Sequence, residues 1–93
     1  MTNTITFNTG RNYTEHGQRI AAQRVNSGAV VMIDIDRGID YLLPISTEFT
    51  QRGVMSAYDH NRVIYPSDVG LSYEDYYAIL KTLRAAAGAV TSV

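Results

Sequence analysis

The chain reads as an α+β domain, an antiparallel sheet of four to five strands packed by two helices. Three observations predict it. Residues Gln18–Leu43, QRIAAQRVNSGAVVMIDIDRGIDYLL, hold three β-prone runs separated by Asn26-Ser27-Gly28 and Asp36-Arg37-Gly38. Each of those triplets ends in the glycine that a positive-φ turn position favours, so the stretch predicts a three-stranded meander, 18–43. Helical spacing of apolar residues is confined to the second half of the chain. Finally, 93 residues with 45% hydrophobic and 18% charged side chains make one domain. Such a chain can bury roughly 60–70% of the surface its unfolded form exposes, enough for a single core.

Taken in order, Thr4–Asn8 alternates Ile5 and Phe7 with polar neighbours and predicts a first strand at an edge. Residues 8–17, NTGRNYTEHG, are rich in glycine, asparagine and threonine and predict a loop. In the second strand, Gln18–Val25, Ile20 and Ala22 share one face while Arg19, Ala21, Gln23 and Val25 share the other, so the faces are weakly distinguished. The third strand, Ala29–Asp36, is clearer. Val31, Ile33 and Ile35 line the face assigned to the core, and Val30, Met32, Asp34 and Asp36 line the opposite one.

The fourth strand, Ile39–Leu43, ends at Pro44, which lacks the N–H that a ladder needs. A helix follows, with Ser46 as N-cap, Glu48 in its first turn, and Phe49, Met55 and Tyr58 on one stripe that Gly53 weakens. The rival for this stretch is a hairpin pairing Val54–Ala57 with Arg62–Tyr65 across Asp59-His60-Asn61. Arg62–Tyr65 predicts a fifth short strand closed by Pro66, and Ser67–Leu71 a loop. Ser72 then caps the last helix, with Glu74 and Asp75 where the helix dipole favours negative charge. Tyr73, Tyr76, Tyr77, Leu80, Leu83 and Ala87 form its apolar face. Lys81 and Arg84 lie toward its C-terminal end, Gly88 begins the fray, and 89–93 are a tail. The expected arrangement places both helices against one face of the sheet.

A formal charge of −1 argues against a polybasic nucleic-acid binder and equally against a heavily acidic DNA mimic. With no cysteine there is no thiolate nucleophile, disulfide or Cys-based zinc site. The first ten residues contain neither a basic n-region nor an apolar h-region, so no export signal is expected and the cytoplasm is the expected compartment.

The run DIDRGID brings Asp34, Asp36 and Asp40 close in sequence and raises the possibility of a hard-cation site. Its spacing does not fit an EF-hand loop, and the solvated tip of a hairpin is the stronger reading. His16 and His60 are the only imidazoles, and no hydrolase, zincin or phosphate-loop motif accompanies them, so neither catalysis nor a cofactor is expected. The informative feature is seven tyrosines without tryptophan, together with seven arginines against one lysine. Tyr and Arg are the side chains that anchor specific interfaces, where Lys is depleted. On this chemistry the candidate partner-binding residues are Arg11, Tyr13, Arg19, Arg24, Arg37, Arg52, Tyr58 and Arg62. Arg19 and Arg24 are expected at the open face or rim of the sheet, where bidentate contact with phosphate or carboxylate is possible.

The segment TFNTGRNYTEHGQRIAA (6–22), with VVMIDIDRGID and AYDHN, resembles small accessory proteins of phages and mobile elements, and within them type I-F anti-CRISPR proteins. The resemblance implies a non-enzymatic inhibitor that docks on Cas proteins of a type I-F surveillance complex, with its guide RNA as a further possible contact, and blocks target-DNA binding or nuclease recruitment. It carries no contact residue with it. The alternative is another phage accessory protein, either a small transcription regulator or a host-takeover binder.

Overall fold

The computed structural model describes residues 3–8, 19–60 and 63–88. Four strands, β1 (Thr4–Asn8), β2 (Arg19–Arg24), β3 (Val30–Asp34) and β4 (Ile39–Leu43), form one antiparallel sheet in the order β1-β2-β3-β4. Helices α1 (Gln51–Asp59) and α2 (Tyr73–Gly88) pack on it, giving the α+β fold the sequence predicts. The expected 8–17 loop and the 89–93 tail fall largely outside the described residues. Gly28 and Gly38 close the two meander turns at φ of 98° and 68°, the left-handed conformation that a side chain would oppose. Register is regular: Ala21 faces Ile33 and Ala22 faces Met32, while Val31 faces Leu42 and Met32 faces Tyr41.

The helices occupy opposite faces of the sheet, which corrects the expectation of one covered face. On one side Ala21, Val31, Ile33 and Leu42 pack with Tyr76, Leu80, Leu83 and Ala87 of α2. On the other, Ile20, Ala22, Val30, Met32 and Leu43 pack with Val54 and Tyr58 of α1. All five residues of β3 are consequently buried, including the Val30–Met32–Asp34 face expected to meet solvent. The physical reason lies in β3, whose Val31 and Ile33 on one face and Val30 and Met32 on the other are all apolar, so that each face needs cover: α2 lies over β2 and β3 on one side and α1 against β4 on the other.

Downstream, the N-cap of α1 is Thr50 and not Ser46. Its Oγ1 accepts the Gly53 N–H at 3.0 Å, and its backbone is extended, as an N-cap requires. Residues Val54–Ala57 are helical, so the rival hairpin does not form. The fifth strand is also absent among the described residues: Val63–Tyr65 joins no ladder, and Pro66–Val69 is a turn of 3-10 helix where a loop was expected. Asp68 explains both. Its Oδ2 accepts the Tyr65 N–H at 3.0 Å, consuming the donor a strand would use, while Pro66 fixes the φ of the first 3-10 residue. Ser72 caps α2 as its sequence implies, Oγ accepting the Asp75 N–H at 3.1 Å. Among the described residues no helix is long and apolar enough to cross a membrane.

Candidate functional site

The three aspartates of DIDRGID do not converge. Asp34 is 0% exposed, against the expectation of a solvated tip. Its Oδ1 accepts the Arg37 N–H at 3.1 Å and its carbonyl accepts the Gly38 N–H at 2.9 Å, so it closes the β3–β4 turn from beneath. Asp36 clamps Arg19: Oδ2 takes the backbone N–H at 2.6 Å, and Oδ1 lies 3.0 Å from Nε and 2.9 Å from Nη2. Asp40, on the opposite face from Asp34, accepts the Tyr76 hydroxyl at 2.7 Å with Arg84 3.9 Å away.

The arginines proposed from sequence separate by how much of their hydrogen-bonding capacity the fold already uses. Arg24 is a structural strut and does not reach an open sheet face. It donates to the Gly28 carbonyl at 2.7 Å and the Thr47 carbonyl at 2.5 Å and lies over the Phe49 ring, tying the β2–β3 turn to the β4–α1 connection. Arg19 and Arg24, at the two ends of β2, sit on opposite faces, as odd and even positions of one strand must. Arg37 donates to the Tyr58 hydroxyl at 3.0 Å and lies 3.7 Å from the buried Asp34 carboxylate. That contact raises its pKa further above the ordinary arginine value, through the bond to Tyr58 first and the charge of Asp34 after it. Tyr58 itself is 8% exposed, edge-to-face on Tyr41 at 4.6 Å, and serves the core instead of a partner. Arg52 is exposed on α1. Arg11, Tyr13 and Arg62 lie outside the described residues.

Two side chains that helical spacing assigned to the core are on the surface. Tyr73 and Tyr77 are 51% and 61% exposed, with ring centroids 6.2 Å apart on the outer flank of α2. Lys81 and Arg84 continue that flank toward the C-terminus of the helix, each about one or two turns on. The signal was present in the sequence: Tyr76, Leu80, Leu83 and Ala87 already complete an i, i+4, i+7, i+11 seam, and one strand pair cannot cover a wider one. Tyr77 also packs against Tyr76 at 5.8 Å, so the exposed ring rests on a buried one and is held in place.

Burial and its hydrogen bond to Asp40 push the Tyr76 hydroxyl well above the ordinary tyrosine range, and burial raises Tyr58 despite the opposing pull of Arg37. A raised tyrosine pKa means that the neutral form is favoured by folding. The stabilisation is full below the unfolded value, near pH 10, and is lost as pH climbs toward the folded value. Urea midpoints are therefore expected to be level through neutral pH and to fall steadily above about pH 10. Tyr76→Phe is expected to flatten that fall, and an equally steep alkaline limb in the variant would contradict the assignment.

The open features of the described surface include the Tyr73–Tyr77 flank of α2, exposed Ile45, Val63 and Tyr65, and Arg52 beside a cleft along α1. Comparison with protein-family models, with curated proteins and with solved structures yields no match to this chain.

Proposed function

We propose that this chain is a non-enzymatic, phage-encoded inhibitor that binds Cas proteins of a type I-F CRISPR surveillance complex, with its guide RNA in reach, in the bacterial cytoplasm. By occupying the complex it blocks target-DNA binding or nuclease recruitment. The identity of the target rests on the resemblance of the 6–22, DIDRGID and AYDHN segments. The binding mode rests on one observation, the exposed Tyr73–Tyr77 pair on a helix whose other face is locked into the core. Large amphipathic rings with few rotatable bonds lose little entropy on docking, and a near-neutral chain must recognise by shape and not by bulk charge. Steric occlusion follows from that.

The test is retention of a type I-F effector on the immobilised protein, with target-DNA binding by the effector measured in parallel. Wild type is expected to retain the complex and abolish DNA binding. The Tyr73→Ala, Tyr77→Ala double variant, with unchanged thermal midpoint, is expected to weaken retention by about tenfold or more. Failure of the wild type on both measurements removes the proposal. A mobility shift on duplex DNA that survives moderate salt would in that case point to a transcription regulator.

A further inference from the structure

Among the five described arginines, four have partners within the chain, Asp36, backbone carbonyls, Tyr58 and Asp40. Arg52 alone has no hydrogen-bond or ion-pair partner among the described residues. It borders a cleft of about 460 Å³ between the β4–α1 connection and the side of α1 that carries Ser56 and His60. Spaced four residues apart, Arg52, Ser56 and His60 form one stripe along the helix.

The cleft's polar groups have defined roles. His60 Nδ1 lies 2.9 Å from the Ser56 carbonyl, which can only accept, so Nδ1 carries a proton and the ring is tied to the helix end. The Glu48 carboxylate takes the Thr50 hydroxyl at 3.3 Å and makes no ion pair with Arg52. Thr47, also lining the cleft, has a buried Oγ1 with no hydrogen-bond partner. One bidentate cation therefore shares the cleft with the Glu48 carboxylate and the Thr47 hydroxyl.

That pattern selects among ligands. A nucleic-acid backbone presents a run of phosphates, and the net charge of −1 offers them no compensating field. A single carboxylate flanked by N–H donors satisfies both signs at once, and an acidic residue within a polypeptide is that ligand. The geometry points to the Arg52 cleft as the docking site for an aspartate or glutamate side chain of a partner protein. The guanidinium takes the carboxylate through paired N–H bonds, and a neighbouring backbone N–H group of the partner falls to Glu48. This names the partner's chemistry at a second point of the inhibitor surface proposed above, and rests on that reading only for the partner being a protein.

The experiment is a titration of ¹⁵N-labelled protein with the capped tripeptide Gly-Glu-Gly, following the Arg52 side-chain Nε–H and the backbone amides of Gly53 and Ser56. Capped Gly-Gln-Gly, inorganic phosphate and a short single-stranded RNA serve as the other arms. Saturable shifts with Gly-Glu-Gly are expected, weakened about tenfold by Arg52→Ala and severalfold by Arg52→Lys, which keeps charge but loses the fork. Thr47→Val, leaving Arg52 in place, is expected to preserve the response to the carboxylate. No saturable response in the millimolar range, an equal response to Gly-Gln-Gly, a stronger one to phosphate or RNA, or an unchanged response in Arg52→Ala would overturn the site. Effector retention separates the two proposals. A complex held equally well by wild type and Arg52→Ala refutes the acidic contact alone, and a complex never held while the tripeptide still binds refutes the inhibitor reading alone.

Discussion

Met32→Asp and Ile33→Asp are each expected to abolish cooperative folding, and to the same degree. The two side chains are neighbours on β3 that point to opposite faces, and both are buried, Ile33 beneath α2 and Met32 beneath α1. Either change removes a contribution of roughly 1.5–3 kcal/mol from burial and places a carboxylate in an apolar layer at a further cost of several kcal/mol. The sum approaches the whole stability of a small domain, about 5–15 kcal/mol. With one open face Met32→Asp would be a surface change worth a few tenths of a kcal/mol. The pair therefore tests the layering of the fold: far-UV circular dichroism with urea denaturation should show both variants without a native baseline. A Met32→Asp protein melting within a few degrees of the parent would return the protein to a two-layer arrangement.

Gly53→Ala is expected to destabilise by on the order of 3 kcal/mol, although helix propensity alone favours alanine by about 1 kcal/mol. A methyl group at Gly53 would lie 2.7 Å from Glu48 Cβ and 2.9 Å from the Glu48 carbonyl carbon, and nearer still to its oxygen. These are mainly backbone atoms and cannot swing aside. The β4–α1 connection would have to lift off the helix, taking with it the Thr47 carbonyl that anchors Arg24 and the Thr50 cap. The residue that weakens the helical pattern of 46–58 in sequence is thus what lets the preceding segment lie against α1. Chemical denaturation of Gly53→Ala beside Gly88→Ala is the check. A methyl group at Gly88 would meet no described atom within 4 Å beyond its chain neighbours and its own helix backbone, so the alanine variant should hold or gain stability. An equal gain at Gly53 would contradict the close approach.

Which of the candidate side chains the fold itself occupies was not legible in the sequence: Arg19, Arg24, Arg37 and Tyr58 are committed to Asp36, to backbone carbonyls and to one another. Those partners lie 4 to 23 residues away in the chain, brought close by strand register and by the β4–α1 connection. No local pattern announces such a pairing. Arg52 is open for the converse reason: the acid nearest to it in sequence, Glu48, is turned to Thr50.

By itself the sequence determined the meander and its two glycine turns, the limits of β4 at Pro44 and the Ser72 cap of α2. Each of these is set by short-range sterics and hydrogen bonding within a few residues. The placement of α1 and α2 on opposite faces, the burial of Asp34 and Met32, the exposure of Tyr73 and Tyr77 and the loss of a fifth strand to Asp68 and Pro66 were decided by the tertiary structure. Period-two alternation says which residues share a face of a strand, but not how many faces are covered. That depends on where the second helix packs, and α1 lies against β4 on the Val30–Met32 side, opposite α2.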